Sequence, residues 1–443
     1  MEPSLPWIRR IPLPPTTALP TDSHASSPRA SSPSSSRADP DSPRSIRADE
    51  PAPTELRLAV AGGGTGGHLV PGINVCLQAR AADPPSLAGV VWLSSGRSIE
   101  ERILGGLEAR ISPVALGRAV LALEPTGGGA PSRAGLVWRT APAVMAARRV
   151  LVDHGSNVLL GLGGFACLPA VLAARSLGLP VALLEMNAAC GSATRWLTPF
   201  ARRVFHSWRG TLPPRDPAAK DEDEDPVHVF VGPPLAPEFD GREITATEQS
   251  RARAELGFAP DRPLLVVLGG SQGATGLNHF VRTYAPALVA SGVQVLHQTG
   301  PGKMDEGCEP FSGYLAVEFV APVHRALAAA TAVLCRGGAS TLAEVAAIGR
   351  PAVVVPYPHH ADQHQEKNAL ELGEGVRVVR EDKLSASLRA DLERLCSPQG
   401  DSERQRMTRA LRSAVPIDGA QRVATDLLSL ARPAAIRRAG RLP

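Results

Sequence analysis

The chain has 443 residues, enough for two domains each with its own core, and its 43% hydrophobic content is that of a soluble globular protein. A formal charge of +4 suits anionic partners, but aromatic residues make up only 4%, which removes the stacking surface of a single-strand nucleic-acid binder. The six cysteines (Cys76, Cys167, Cys190, Cys308, Cys335, Cys396) form no CxxC pair and no metal-ligand spacing, which argues against a zinc framework and fits a reducing compartment.

Residues 1–53 are rich in Pro, Ser, Arg and Ala, hold too little apolar surface to fold, and lack the apolar core of a signal peptide; they read as a disordered tail. The first ordered stretch is LAVAGGGTGGHLVPG, Leu58 to Gly72: a buried strand, glycines broken only by Thr65, then His68 and the helical pattern LVPGINVCLQARAA. Gly64, Gly66 and Gly67 have no Cβ, so a ligand can lie against the backbone, and such a loop at a helix N-terminus is a seat for an anion. Taken alone, the stretch is equally a tight turn with a surface histidine.

A strand, GVVWLS, follows, and then AGLVWRTAPAVMAARRVL, Ala134 to Leu151. It mixes Trp138, Val144 and Met145 with Arg139, Arg148 and Arg149, a pattern that fits either an interfacial amphipathic segment or a core-packed helix. VLLGLGGFACLPAVLAA, Val158 to Ala174, approaches the length of a membrane span, but Gly163, Gly164 and Pro169 divide it into strand, turn and helix. The strand PVALLE ends in Glu185, with Asn187 just beyond, where polar groups point into a cleft or stabilise a turn. The acidic run Lys220–Asp225 contains Asp221, Asp223 and Asp225, a DxD-like spacing better read as a solvated loop. VHVFVG follows, and then a second strand series: PLLVVLGG, VQVLHQTG, LAVEFV, AVLCRGG and AVVVPYP.

Strands alternating with helical stretches predict parallel sheets covered on both faces. LAVAGGGTGGH is echoed by LLVVLGGSQGATGLN, so the chain reads as two Rossmann-like halves, each opening on a glycine loop and facing the other across a cleft. The second loop offers Gly269, Gly270, Ser271, Gln272, Gly273 and Ala274, whose backbone N–H groups and following helix suit a diphosphate. It lacks the full GxGxxG spacing, and VQVLHQTG stands where a dinucleotide site needs an acid, so an oxidoreductase is the weaker reading. In LCRGGASTLAEVAAIGRP, Ser340 and Thr341 suit a helix cap. Glu344 either closes a capping box or accepts two hydrogen bonds from a ribose diol. In PYPHHADQHQEKNA, Gln365 and Asn368 offer amides suited to sugar hydroxyls; His360 and His364 are spaced as a metal pair, but no third ligand is evident.

GGTGGH followed by PG, then GLGGF, GGSQGA, CRGGASTLAE and HQEKNA, in this order and spacing, resemble the MurG family of N-acetylglucosaminyltransferases, which make lipid II for peptidoglycan. The resemblance spans roughly residues 55–432. It implies an α/β glycosyltransferase-B fold with residues 54–232 as an acceptor- and membrane-side domain and 233–416 as the UDP-sugar domain. It also implies a terminal helix, about 417–432, packing back on the first domain before a tail at 433–443. It implies a UDP-N-acetylglucosamine donor, a muramyl-pentapeptide acceptor on undecaprenyl diphosphate, an anionic membrane surface at the cytoplasmic face of the inner membrane, and no metal, cofactor or nucleic acid.

Carried onto this sequence, the resemblance sets Thr65, Gly66 and Gly67 beside the donor sugar, and Asn187 and Gln365 on the N-acetylglucosamine. Ser271, Gln272 and Gly273 meet the diphosphate, Val320 the uracil through its backbone, and Ala339, Ser340, Thr341, Leu342, Ala343 and Glu344 the nucleoside. Gly163 and Gly164 fall on the acceptor side, and His68 is the expected general base. GRAVLALEPTGGGAPSR replaces the family's usual basic glycine segment, and there Arg118 or Arg133 is the candidate substitute for the acceptor-diphosphate contacts. The sequence departs from the family at Pro233 and Ala236, where an Asn-Pro pair and an arginine are usual, and at Leu184, where a histidine is usual. A UDP-sugar epimerase of the same architecture and a non-catalytic nucleotide-sugar binder are the alternatives. The first wants further cleft carboxylates, which the sequence does not single out.

Overall fold

The computed structural model describes residues 55–63, 66–82, 86–121, 133–214, 225, 227–304, 309–360 and 362–431, with 133–139 described by backbone alone. Two sheets organise them, and every pairing within each is parallel. The first contains β1 (Leu56–Ala61), β2 (Leu87–Ser94), β3 (Leu116–Val120), β4 (Val158–Gly161), β5 (Val181–Glu185), β6 (Arg203–His206) and β7 (His228–Phe230), in the order β3-β2-β1-β4-β5-β6-β7. The second contains β8 (Leu264–Leu268), β9 (Gln294–Gln298), β10 (Tyr314–Val317), β11 (Ala332–Cys335), β12 (Ala352–Val354) and β13 (Val376–Val378), in the order β10-β9-β8-β11-β12-β13.

Both sheets step outward on one side of their first strand and then reverse. The reversals lie between β1 and β4 and between β8 and β11. Loops leaving the two strands at a reversal part in opposite directions, which opens a crevice at their C-terminal ends. The strand sequences explain the layering. β4, β5, β8, β9 and β11 are buried at every residue; β4, β8 and β11 read as unbroken apolar runs and not as alternation, while β5 ends in Glu185 and β9 carries Gln294, His297 and Gln298.

The helix Gly66–Ala81 starts earlier than its apolar pattern suggests, so His68 stands in its first turn and not in the preceding loop. Its inner face, Leu69, Ile73 and Leu77, shares one core with Leu58 and Val60 of β1 and with Ala420, Val423 and Leu427 of the terminal helix Gly419–Leu430. The last described helix therefore belongs to the first sheet's core, reinforced by the Arg203–Asp426 ion pair at 3.0 Å. The chain crosses between the lobes twice. At the crossings Gly232 lies against Pro416, while Gly419 lies against the carbonyls of Gly232 and Pro233. Buried Asn74 donates its Nδ2 to the Pro234 carbonyl at 2.9 Å and anchors the first crossing to the helix Gly66–Ala81. Leu184 is a core residue of β5.

The Val158–Ala174 stretch divides into β4, a glycine turn and the helix Cys167–Ser176. Among the described residues no helix is long and apolar enough to cross a membrane.

Gly273 has φ +69°, and a β-carbon there would stand 1.9 Å from the Thr299 carbonyl oxygen, so the loop after β8 closes on backbone. Gly302 has φ +65° with open space around it. Gly273→Ala should therefore destabilise the chain by about 2–3 kcal/mol and Gly302→Ala by about 1 kcal/mol, since only the first adds a backbone clash to the left-handed penalty. Urea denaturation of the two variants checks the ordering.

Candidate active site

The two glycine loops meet. A β-carbon on Gly66, at the start of the first lobe's helix, would stand 3.5 Å from Cβ and Oγ of Ser271 in the second lobe. Within the first lobe the loops after β1 and β4 are also in contact: a β-carbon on Gly164 would lie 2.8 Å from the Gly63 carbonyl oxygen. His68, half-buried, leans over this junction, with Cδ2 and Nε2 3.7 and 3.8 Å from the β-carbon position of Gly163. Thus His68, Gly66, Gly163, Gly164 and Ser271, far apart in sequence, share one place.

The carboxylate of Glu185 at the end of β5 is buried and fixed. Its Oε1 accepts from the Asn187 N–H at 3.1 Å and its Oε2 from the Gly191 N–H at 2.9 Å. Burial lowers the pKa of His68 from its ordinary value; the Glu185 carboxylate pulls it back up, and charge on His364, across the cleft, presses it down. The outcome is an imidazole that is neutral at pH 7 and able to accept a proton.

In the second lobe the loop Gly269–Ala274 is closed by the Gly273 N–H on the Gly270 carbonyl at 3.0 Å, leaving Ser271 half-buried and Gln272 exposed. Gln298, at the end of β9, donates Nε2 to the Gly270 carbonyl at 2.8 Å and accepts from the Val320 N–H at 3.1 Å. The Val320 N–H thus already has a partner, so a base reaching this point meets its carbonyl or displaces Gln298. The helix Ala339–Ile348 is capped by Gly338, not by Ser340 or Thr341, which lie inside its first turn, and no capping box forms. The Ser340 hydroxyl is buried with no hydrogen-bond partner among the described residues. Leu342 and Ala343 turn into the core, and the Leu342 N–H is spent on the Gly338 carbonyl, so these two residues contribute packing. Burial without a compensating charge pushes the Glu344 carboxyl up to about 8.

Gln365 accepts from the N–H groups of Gly337 and Tyr357 at 3.2 and 2.9 Å, joining the loops after β11 and β12 through one amide oxygen. Arg336 holds the same loops from behind. It pairs with Glu381 at 2.8 Å and donates to the Val355 carbonyl at 3.1 Å. The rings of His360 and His364 stack with centroids 4.3 Å apart, and His364 Nδ1 bonds Asp362 at 2.8 Å. Among the described residues no His, Cys, Asp and Glu group could hold a metal ion.

Arg118, on the edge strand β3, is engaged by Glu101 at 3.3 Å and by the Leu104 carbonyl, so an acceptor phosphate would have to compete for it. Arg133 opens the helix Arg133–His154, and its side chain, like Thr65, Asp221 and Asp223, lies outside the described residues. Asp225 accepts from the N–H groups of Val227 and His228 at 2.8 and 3.2 Å, stabilising a turn. Sequence reasoning missed Gln298 and Glu371, and it assigned Asn368 to sugar hydroxyls. The Asn368 amide instead bonds both lobes, to Ala188, Asn187 and Gly337. A polar residue at the C-terminal end of a strand, as in HQTG, was the available signal for Gln298; nothing local marks a contact made across the lobes.

Two parallel sheets of this order, facing across a cleft that joins their glycine loops, make the α/β fold of a glycosyltransferase-B enzyme. Residues 58–206 match the glycosyltransferase family 28 N-terminal domain and residues 264–422 the glycosyltransferase family 28 C-terminal domain. The UDP-N-acetylglucosamine--N-acetylmuramyl-(pentapeptide) pyrophosphoryl-undecaprenol N-acetylglucosamine transferase of Sorangium cellulosum is 36% identical over 395 residues, 85% of this chain and 89% of that protein. Among solved structures, MurG of Acinetobacter baumannii superposes with a TM-score of 0.60 at 22% identity, covering 85% of this chain and all of that one. A UDP-N-acetylglucosamine 2-epimerase superposes at 0.54 with 14% identity, covering 85% and 96% of the two chains, a likeness of fold alone. The chain belongs to the MurG family and is a hexosyltransferase.

A carboxyl with a pKa of about 8 is mostly neutral at pH 7. If a ribose diol donates to this carboxyl it favours the ionised form, so UDP binding should release a proton at pH 7. Affinity should then rise as pH approaches 8 and flatten above it. Calorimetry in buffers of different ionisation enthalpy measures the release, and Glu344→Gln should abolish it.

Proposed function

We propose that the chain transfers N-acetylglucosamine from UDP-N-acetylglucosamine to the C4 hydroxyl of the muramyl sugar in undecaprenyl-diphospho-muramoyl-pentapeptide, forming lipid II. The observation that carries this reading is the approach of Gly66 to Ser271, which brings the helix turn that holds His68 up to the glycine loop of the second lobe. The Sorangium cellulosum relative is named for transfer between these substrates. In the reaction the acceptor oxygen attacks the anomeric carbon in line, the bond to UDP breaks, and the configuration inverts. The hydroxyl proton passes to His68, whose depressed pKa keeps it in the accepting form. Charge growing on the leaving diphosphate is met by N–H groups of the Ser271 loop and by the N-termini of the helices Thr275–Ala290 and Ala339–Ile348. On this reading Thr65, Gly66, Gly67, Asn187 and Gln365 contact the hexosamine, Val320 and Glu344 the nucleoside, and Gly163 and Gly164 the acceptor.

The epimerase-like fold does not choose between transfer and epimerisation. Incubation with UDP-N-acetylglucosamine, with and without a lipid I analogue, does. Release of UDP together with lipid II, only when acceptor is present, supports the reading; an epimerised sugar nucleotide without acceptor overturns it.

The same reading attaches the first lobe to an anionic membrane at its cytoplasmic face. The helix Arg133–His154 exposes Met145 (64%) and Val152 beside Arg148 and Arg149, and the helix Ser192–Leu197 exposes Trp196 (74%). Apolar side chains flanked by arginines are what a peripheral contact requires.

His68→Ala should lower turnover by about 10²–10⁴-fold while leaving UDP affinity nearly unchanged. Because the base must be unprotonated, kcat/KM should rise with pH along a limb centred below 6.5, and Glu185→Gln should move that limb lower still. Stopped assays across pH test both. Flotation with phosphatidylglycerol vesicles at low salt should recover the wild type, and the double variant Met145→Glu, Trp196→Glu should stay in the lower fractions.

A further inference from the structure

We propose that Asn368 is a positioning residue that locks the donor-sugar side of the first lobe onto the nucleotide loop of the second. The inference rests on the reading above. Its side chain is completely buried. Oδ1 accepts from the Ala188 N–H at 2.6 Å, and Nδ2 donates to Asn187 Oδ1 at 3.3 Å and to the Gly337 carbonyl at 3.0 Å. Asn187 and Ala188 leave β5 of the first lobe; Gly337 leaves β11 of the second. One amide therefore spends both of its polar ends on a bond between lobes, and it sits in the helix His364–Leu370 that also carries Gln365. Just beyond that helix, Glu371 accepts from the Gly210 N–H of the first lobe at 2.9 Å, a second tie in the same direction.

The chemistry selects an amide. A carboxylate at 368 would accept from Ala188 but donate to neither Asn187 nor Gly337. An aliphatic residue would remove the partner of the buried Ala188 N–H, of the buried Gly337 carbonyl and of the half-buried Asn187 Oδ1, and unpaired polar groups are costly away from water. If the lobes part, Asn368 loses Ala188 and Asn187 together, so the amide favours the joined arrangement. UDP, held by second-lobe residues, is indifferent to this lock. The hexosamine, placed between Asn187 and Gln365, depends on it. Asn368 thus acts through Asn187 and Gly337, and the sugar is felt only when the lobes are joined.

The test uses the full chain and the variants Asn368→Asp, Asn368→Ala and Glu371→Ala, with UDP affinity by calorimetry, kcat and KM for transfer to a lipid I analogue, and thermal denaturation. Both Asn368 variants should keep UDP affinity within about two-fold while kcat/KM for transfer falls by about ten-fold or more, the loss expected for a broken buried hydrogen-bond set. Glu371→Ala should show the same split to a smaller degree. Equal losses in UDP binding and transfer would make Asn368 a residue of second-lobe stability and overturn the proposal, as would unchanged transfer. If the Asn368 variants do not fold, Glu371→Ala decides by the same criterion. Absence of transfer by the wild type would sink the functional reading alone. Small-angle scattering with UDP-N-acetylglucosamine still tests the lock, since Asn368→Ala should give a larger radius of gyration than the wild type and an equal radius would refute it.

Discussion

The structure depends on two loops, one from each lobe, that meet at small residues. A β-carbon at Gly66 would stand 3.5 Å from Cβ and Oγ of Ser271, an ordinary contact distance, so the loops touch through the serine side chain. The cleft is organised around that contact. The helix Gly66–Ala81 points its first turn, and with it His68, at the second lobe. The loop after β4 closes underneath, with Gly163 facing the imidazole and Gly164 resting on Gly63. The sheets place these loops because each reverses its strand order at the strand that feeds a glycine loop.

The lobes are tied across the cleft by polar bonds: Asn368 to Asn187 and Ala188, and Glu371 to Gly210. An apolar seam would hold the lobes shut in water. A hydrogen bond exchanged for one to water changes the free energy by only about 0.5–1.5 kcal/mol, so such ties make the joined arrangement favoured and still reversible. The crossings lie elsewhere and are built differently. Gly232 packs on Pro416, Gly419 on the carbonyls of Gly232 and Pro233, and Asn74 fastens Pro234 to the first helix. Stiff crossings and polar cleft ties suit an enzyme that must admit and release a nucleotide sugar.

Much of this was legible in the sequence because it is written in local patterns. Unbroken apolar runs such as LLVVL mark strands buried on both faces, and a glycine loop after such a run marks the strand at which the sheet reverses. The duplicated loop therefore yielded two facing Rossmann-like halves. Local reading failed where the partner is remote. Ser340 and Thr341 have the chemistry of caps, yet the backbone of Gly338 takes that position and leaves the Ser340 hydroxyl without a bond among the described residues. Asn368 has the chemistry of a sugar ligand, but its amide is consumed by a loop 180 residues away. His360 and His364 have the spacing of a metal pair, and their rings stack. In each case the residue type was read correctly for what it can do, while the tertiary neighbour decided what it does.

Burial acts on two of the site's titratable groups in opposite electrical senses with one result. It lowers the pKa of His68 and raises that of Glu344, so near neutrality both are predominantly uncharged. Arg336 is answered by Glu381, while Lys303 Nζ donates to the Gly273 carbonyl at 3.3 Å at the edge of the Ser271 loop. On the proposed reading the resting cleft meets an incoming diphosphate with Lys303 and with oriented N–H groups and helix ends, dipoles already in place that need no rearrangement as charge develops on the leaving group. A lysine in the place of His68 would be protonated at pH 7 and would attract an anion to the first lobe. On the proposed reading a neutral imidazole instead leaves the diphosphate to the Ser271 loop and takes the proton of the attacking hydroxyl. That division of labour between the lobes would rest on the absence of charge at His68 as much as on the dipoles that face it.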